Sequence, residues 1–293
     1  MKFKKIKNAI LSVGLTACCL FNLTGCSGKT LPGNIADEMT FVDGDLIAEI
    51  EIEGYGVMKA KLFPDIAENA VDNFKKLVDQ GYYNGLKIHY VMPNNCIQGG
   101  SLYGDGTGGT SPLNVNGYIE NETSPDARNF YGALGMANDL GHNTTQFYIV
   151  NSKKNEDLNK YSVDKIKEKA ATYTAQKESM AADDPDYDSV VFNETYYTNL
   201  AEMISGASDE VKAKYMNVGG VPMWDGRNTI FGQIFEGLDI LDKITAVETT
   251  TDNKGVNCRP VEDIIIKSVK ITTYEAPQPE PEPEESKSSK KKK

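Results

Sequence analysis

Apolar and polar residues alternate with a period of two along Leu46–Ile52 and again along Val57–Phe63, with Glu53-Gly54-Tyr55-Gly56 between them. That pattern predicts two half-buried strands joined as a hairpin. The period then changes: Ala67, Ala70, Val71, Phe74, Leu77 and Val78 fall on one face of a 3.6-residue repeat, which predicts an amphipathic helix. Asp65 and Glu68, three apart after Pro64, have the form of a capping pair, and Gly81 is the expected stop. Strands are predicted at 87–92, 132–137, 145–150, 229–233 and 261–271, with a second short helix at 237–244. Many short strands with two helices predict a mainly β fold, a closed antiparallel barrel.

From about 152 to 217 the pattern turns helical. Lys165–Met180 is rich in Lys, Glu and Ala, and Tyr196, Tyr197, Leu200, Ala201 and Ile204 form the stripe of a half-buried helix. Ser208 before Asp209 and Glu210 suits a helix start, because the hydroxyl accepts from an orphan amide and acids favour the positive end. A structureless loop of that length is rare in a compact domain. The segment is therefore a helical subdomain over the groove of the barrel or a partly mobile lid, and the subdomain is the favoured reading.

The two ends follow other rules. Lys2, Lys4, Lys5 and Lys7 open the chain, an apolar run from Ala9 to Leu23 follows, and Leu23-Thr24-Gly25-Cys26 precedes Ser27. A basic start, an apolar run short of the ~20 residues of a membrane span, and small residues before a cysteine predict a lipoprotein signal over 1–25. Cleavage would leave Cys26 as a lipid-bearing N-terminus, which places the protein at the outer face of the cell membrane without a crossing helix. A polar leader over 26–45 and a domain over 46–273 follow. The tail, 274–293, alternates proline with glutamate before its lysine run and predicts an extended, solvated chain.

Loss of the four signal lysines takes the net charge from −11 to about −15, which argues against a nucleic-acid partner. Three of the five cysteines lie at 18, 19 and 26, so Cys96 and Cys258 are too few for a disulfide framework. His89 and His142 with those cysteines make no zinc spacing, and Gly106-Thr107-Gly108-Gly109 lacks the Lys-Ser or Lys-Thr pair of a phosphate loop.

Four segments carry the chemistry: Ile88-His-Tyr-Val-Met-Pro-Asn-Asn-Cys-Ile-Gln-Gly-Gly-Ser101, Gly104-Asp-Gly-Thr-Gly-Gly109, Gly132-Ala-Leu-Gly-Met-Ala-Asn138 with Gln146-Phe-Tyr-Ile-Val150, and Trp224-Asp-Gly-Arg-Asn-Thr-Ile-Phe-Gly232. In this order they resemble the cyclophilins, over about 46–150 and 218–272. The resemblance implies a closed eight-stranded antiparallel β-barrel plugged at each end by a helix, to which this chain adds its helical insertion. It also implies a peptidyl-prolyl cis-trans isomerase that uses no cofactor and no metal. Its partners would be proline-containing segments of exported proteins, and the chain is expected to be a monomer assisting their folding.

Rotation about an Xaa-Pro bond has a barrier of about 18–20 kcal/mol because amide resonance must be broken. Catalysis needs an apolar socket for the ring, hydrogen bonds that hold the flanking backbone, and a donor aimed at the prolyl nitrogen as its lone pair is freed. By resemblance, Tyr90 stands where the family has its catalytic arginine, and Gln98 fixes the substrate backbone. His89, Cys96, Ala137, Asn138, Gln146, Tyr148, Trp224 and Asn228 line the substrate groove. A phenol offers one neutral donor in place of a charged fork, so reduced activity is expected. A second reading keeps the peptide groove without useful catalysis, as a chaperone or assembly adaptor. His89 also suits a packed strand residue, and Cys96 a small core side chain.

Overall fold

A computed structural model of the chain describes residues 39–252 and 254–275. The signal segment, Cys26 and the Pro/Glu and Lys-rich tail beyond Glu275 lie outside the described residues.

At the first hairpin, alternation becomes burial. Strands β1 (Leu46–Ile52) and β2 (Gly56–Leu62) pair antiparallel with Ile50 opposite Met58 and Ala48 opposite Ala60, and all four side chains are fully buried. Helix α1 (Glu68–Asp79) buries Ala70, Val71, Phe74 and Leu77 and ends before Gly81, which adopts φ +66°. Its start departs from the local pattern. Ala67 occupies the cap position with no side-chain bond, and the carboxylate of Glu122 accepts from the Asn69 and Ala70 amides at 3.0 and 2.9 Å. The orphan amides at a helix start need an acceptor and favour a negative charge, and a loop some fifty residues downstream supplies both here.

The remaining strands are β3 (Tyr90–Met92), β4 (Cys96–Gly99), β5 (Ala133–Asp139), β6 (His142–Val150), β7 (Ile230–Glu236), β8 (Thr249–Thr251), β9 (Asn257–Pro260) and β10 (Ile266–Thr273). Eight of them form one antiparallel sheet in the order β10-β1-β2-β7-β5-β6-β4-β3, while β8 and β9 make a separate ribbon. The sheet curls until its ends meet. Ile88 N donates to Ile264 O at 2.9 Å and Ile266 N to Leu86 O at 2.8 Å, around a bridge between Lys87 and Ile265. Closure therefore rests on a few irregular backbone bonds in place of a ladder. This also explains why β3 is shorter than the predicted 87–92: its first residues are spent on the closure.

The barrel interior is packed with Ile50, Met58, Phe74, Phe147 and Phe231, and Phe74 sits 5.2 Å from Phe231 in a tilted ring contact. Such pairs add to the gain from burial. Helix α5 (Leu238–Thr245) brings Ile240, Leu241 and Ile244 to the same core. The insertion folds as α2 (Val163–Glu178), α3 (Tyr187–Ser205) and α4 (Asp209–Val218), with an apolar cluster of its own that includes Ile166, Tyr196, Leu200, Ile204 and Tyr215. Ser208 caps α4 as its sequence predicts, accepting from Val211 N at 3.3 Å. Helix α3 comes close to the barrel at Gly226, where φ is +72° and an added Cβ would lie 2.7 Å from Asn199 Cβ. Only glycine meets both conditions.

Candidate functional site

Tyr90 on β3 pairs directly with Gln98 on β4, and Gln98 pairs with Tyr148 on β6. Residues opposite one another in an antiparallel ladder share a face, so three of the residues expected in the site form one row across the sheet. Tyr148 belongs at the same time to an apolar cluster with Cys96, Ala133, Val150 and Ile230, against which Tyr90, Ala137 and Trp224 pack. Tyr148 meets Trp224 edge-on at 5.5 Å between centroids.

Two hollows open on either side of Gln98, which lines both. The first, of ≈ 450 Å³, is bounded by Ala137, Asn138, Tyr148, Trp224 and Asn228, with the Tyr148 and Trp224 rings as its apolar part among polar neighbours. The second, of ≈ 420 Å³, holds His89, Tyr90 and Gln146. The residues expected to bind substrate are thus divided between neighbouring hollows that meet at one glutamine. Cys96 lines neither. It is fully buried below Gln98, whose Nε2 donates to its Sγ at 3.6 Å, and burial pushes the thiol up to about 12. Such a thiol is packing, not a nucleophile. Cys258 is also buried, and both are free.

Several polar side chains are already committed. Asn138 Nδ2 donates to Asn228 Oδ1 at 2.8 Å and its Oδ1 accepts from Gly141 N at 3.2 Å, so the two asparagines lock the β5–β6 turn to the segment before β7. Gln146 Nε2 donates to Gly106 O at 3.0 Å and holds the Gly104–Thr107 loop, which folds over Ser101 Oγ. The backbone that follows Gln98 is tight: at Gly100, φ is +85° and a Cβ would lie 2.5 Å from Thr145 O. His89 is largely buried, which lowers its pKa to about 4, so the ring is neutral at pH 7 and Nδ1 has no partner. Tyr90 is raised to about 12, first by burial and then by the neighbouring thiols and Asp252, and its hydroxyl donates to Met92 Sδ at 3.3 Å. A neutral phenol directed at a thioether is a weak electrostatic partner for a developing lone pair.

Behind the first hollow, Tyr148 donates to Asn129 Oδ1 at 2.7 Å. Asn129 is in turn fixed by Asp225, whose carboxylate accepts from its backbone N at 2.9 Å, from Arg128 Nη1 at 3.0 Å and from Tyr215 Oη at 2.8 Å. This buried network joins α4 of the insertion to the ring that floors the socket.

Sequence reading missed part of the wall. Tyr196, Tyr197, Met223 and Arg227 also line the first hollow, and Lys254 and Arg259 the second. Arg227 stands beside Asn228 in a recognised segment and was within reach of inspection. Tyr196 and Tyr197 read as a core stripe, and nothing in their spacing tells which barrel face that stripe would meet.

A family model described as cyclophilin type peptidyl-prolyl cis-trans isomerase/CLD matches residues 47–164 and 207–271. The unmatched stretch between these ranges falls on α2 and α3. A Staphylococcus saprophyticus protein named as a candidate peptidyl-prolyl cis-trans isomerase is 32% identical over 235 residues, covering 79% of this chain and 95% of that protein. A Staphylococcus haemolyticus protein of the same name is 33% identical over 219 residues, covering 74% and 86%. Among solved structures, a Cryptosporidium parvum cyclophilin type peptidyl-prolyl cis-trans isomerase in the presence of the dipeptide Ala-Pro covers 78% of this chain and 99% of its own, at 21% identity and a TM-score of 0.49.

Proposed function

The chain belongs to the cyclophilin-type peptidyl-prolyl cis-trans isomerases, and from that premise we propose that it turns Xaa-Pro bonds in the groove centred on Gln98, at the outer face of the cell membrane. The observation that carries the proposal is the row Tyr90–Gln98–Tyr148 packed into an apolar cluster, with the glutamine lining two hollows. The proline ring enters the first hollow against Tyr148 and Trp224. Gln98 bonds the substrate backbone where the two hollows meet, and the chain before proline runs past Tyr90 into the second hollow. No proton need be transferred, in keeping with a neutral His89 and an inert Cys96. The groove works by holding the bond in its twisted form more tightly than in either planar form.

Because Tyr90 is neutral and directed at Met92, turnover is lower than a groove with arginine at that position would give. The location rests on the lipobox at Leu23–Cys26, which ties the protein by lipid to the side where exported chains emerge. The clients are then exported proteins during folding.

Exchange NMR on a short Xaa-Pro peptide tests the reading, since line shapes report rotation directly. Exchange well above the uncatalysed rate, lost in Gln98→Ala, is expected. Chemical-shift changes without faster exchange would instead mark a peptide-binding adaptor.

A further inference from the structure

Besides lining the first hollow with Tyr196 and Tyr197, the insertion holds one charged side chain of the groove. Arg227, half-buried on the segment before β7, lines the first hollow together with Gln98, Tyr148 and Asn228. Its guanidinium carbon lies 5.1 Å from the ring centroid of Phe192 and 5.2 Å from that of Tyr196, both on α3. Its backbone oxygen accepts from Asn121 Nδ2 at 2.6 Å and Asn138 Nδ2 at 3.3 Å, so the main chain is pinned as well as the head group. No carboxylate among the described residues lies within ion-pair distance of it. Two aromatic faces attract a cation through their ring quadrupoles and supply no carboxylate to neutralise it. The charge is felt at the Tyr148 phenol, where it acts against the rise that burial causes.

We propose that Arg227 is the catalytic cation of this groove, and that holding it over the socket between Phe192 and Tyr196 is the task of the helical insertion. The inference rests on the isomerase reading and extends it. As amide resonance is lost, the prolyl nitrogen regains a lone pair and the carbonyl changes its polarity. A fixed guanidinium at the wall of the first hollow stabilises that twisted state, which Tyr90, lining the second hollow, is too neutral to do. A preorganised charge in a partly dry site loses little in reorganisation at the moment of reaction. The side chain would reach substrate directly from the socket wall.

The test is exchange NMR on an Xaa-Pro peptide with the chain from Cys26 onward, paired with a chemical-shift titration that gives affinity. Arg227→Gln is expected to lower catalysed exchange at least about tenfold while peptide affinity stays within about twofold, the mark of a contact made mainly in the transition state. Arg227→Lys should fall between, because it keeps the charge and loses the fork. Phe192→Leu, which touches the clamp and not the socket, should lower exchange by about threefold without changing the shifts of the barrel amides. Tyr90→Arg placed in the Arg227→Gln background should restore exchange from the second hollow. Exchange unchanged in Arg227→Gln overturns the role, and so does a loss matched by an equal loss of affinity, or a loss seen in Arg259→Gln and not in Arg227→Gln. A wild-type chain that binds peptide and does not speed exchange overturns the isomerase reading and the cation role together, whereas the other failures leave that reading standing.

Discussion

Asp225→Asn should be among the most damaging single-atom changes available to this protein. Asp225 is fully buried, and its carboxylate accepts from Arg128 Nη1 at 3.0 Å, from Asn129 N at 2.9 Å and Nδ2 at 3.2 Å, and from Tyr215 Oη at 2.8 Å. The Arg128 side chain is 4% exposed. Asparagine keeps the shape, removes the only counter-charge among the described residues in contact with a buried guanidinium, and turns one acceptor into a donor facing donors. Breaking a buried pair from one side costs about 3–5 kcal/mol, a large part of the ~5–15 kcal/mol that holds an ordinary domain together. For a domain of this size the melting temperature should fall by about 10 °C. Urea unfolding followed by circular dichroism and by the fluorescence of Trp224, the single tryptophan, measures the loss. Arg128→Met with Asp225→Leu removes both charges but leaves Asn129 and Tyr215 donors without their acceptor, so it should recover only part of the stability. A loss below about 1 kcal/mol in Asp225→Asn would refute the reasoning, because the guanidinium would then have to be solvated or repartnered in the folded chain. Tyr148 hangs from Asn129, so groove affinity should weaken in the same variant.

Three further outcomes are expected. His89 has a folded-state pKa near 4 against an ordinary 6.5, so the unfolded chain takes up its proton first. Its contribution is complete above about pH 6.5 and shrinks as pH falls towards 4, by up to about 3 kcal/mol, and His89→Gln should flatten that part of a stability-versus-pH profile. Glu122→Ala leaves the Asn69 and Ala70 amides at the start of α1 without their acceptor; a loss of about 1–2 kcal/mol in urea unfolding is expected, and no loss would mean that water replaces the carboxylate freely. Cys26→Ser should move the protein from the membrane to the soluble fraction and abolish incorporation of labelled palmitate, whereas continued sedimentation with membranes would refute lipid anchoring at that cysteine.

The fold was open to sequence reading where local pattern and tertiary environment agree. Period-two alternation marks β1 and β2 because one face of each meets the barrel interior, and the Ala70–Phe74–Leu77 stripe marks α1 because that face plugs the same core. The start of α1 was misread for the opposite reason: Glu122 is far away in sequence, and Asp65 with Glu68 offered a plausible local cap that the chain does not use. The shortness of β3 was equally hidden, since closure against Ile264–Ile266 depends on how far the sheet curls.

The sequence by itself determined which residue types recur in a cyclophilin order, where the insertion interrupts them, and that Tyr90 stands where a charge was expected. Those facts depend only on neighbours along the chain. The tertiary structure alone decided that Gln98 joins two hollows, that Cys96 lies beneath them, and that Phe192 and Tyr196 of a distant helix hold Arg227 at the socket wall. Each of those is a contact between elements far apart in sequence, set by sheet register and by the close approach that Gly226 permits, and no local periodicity encodes such a distance.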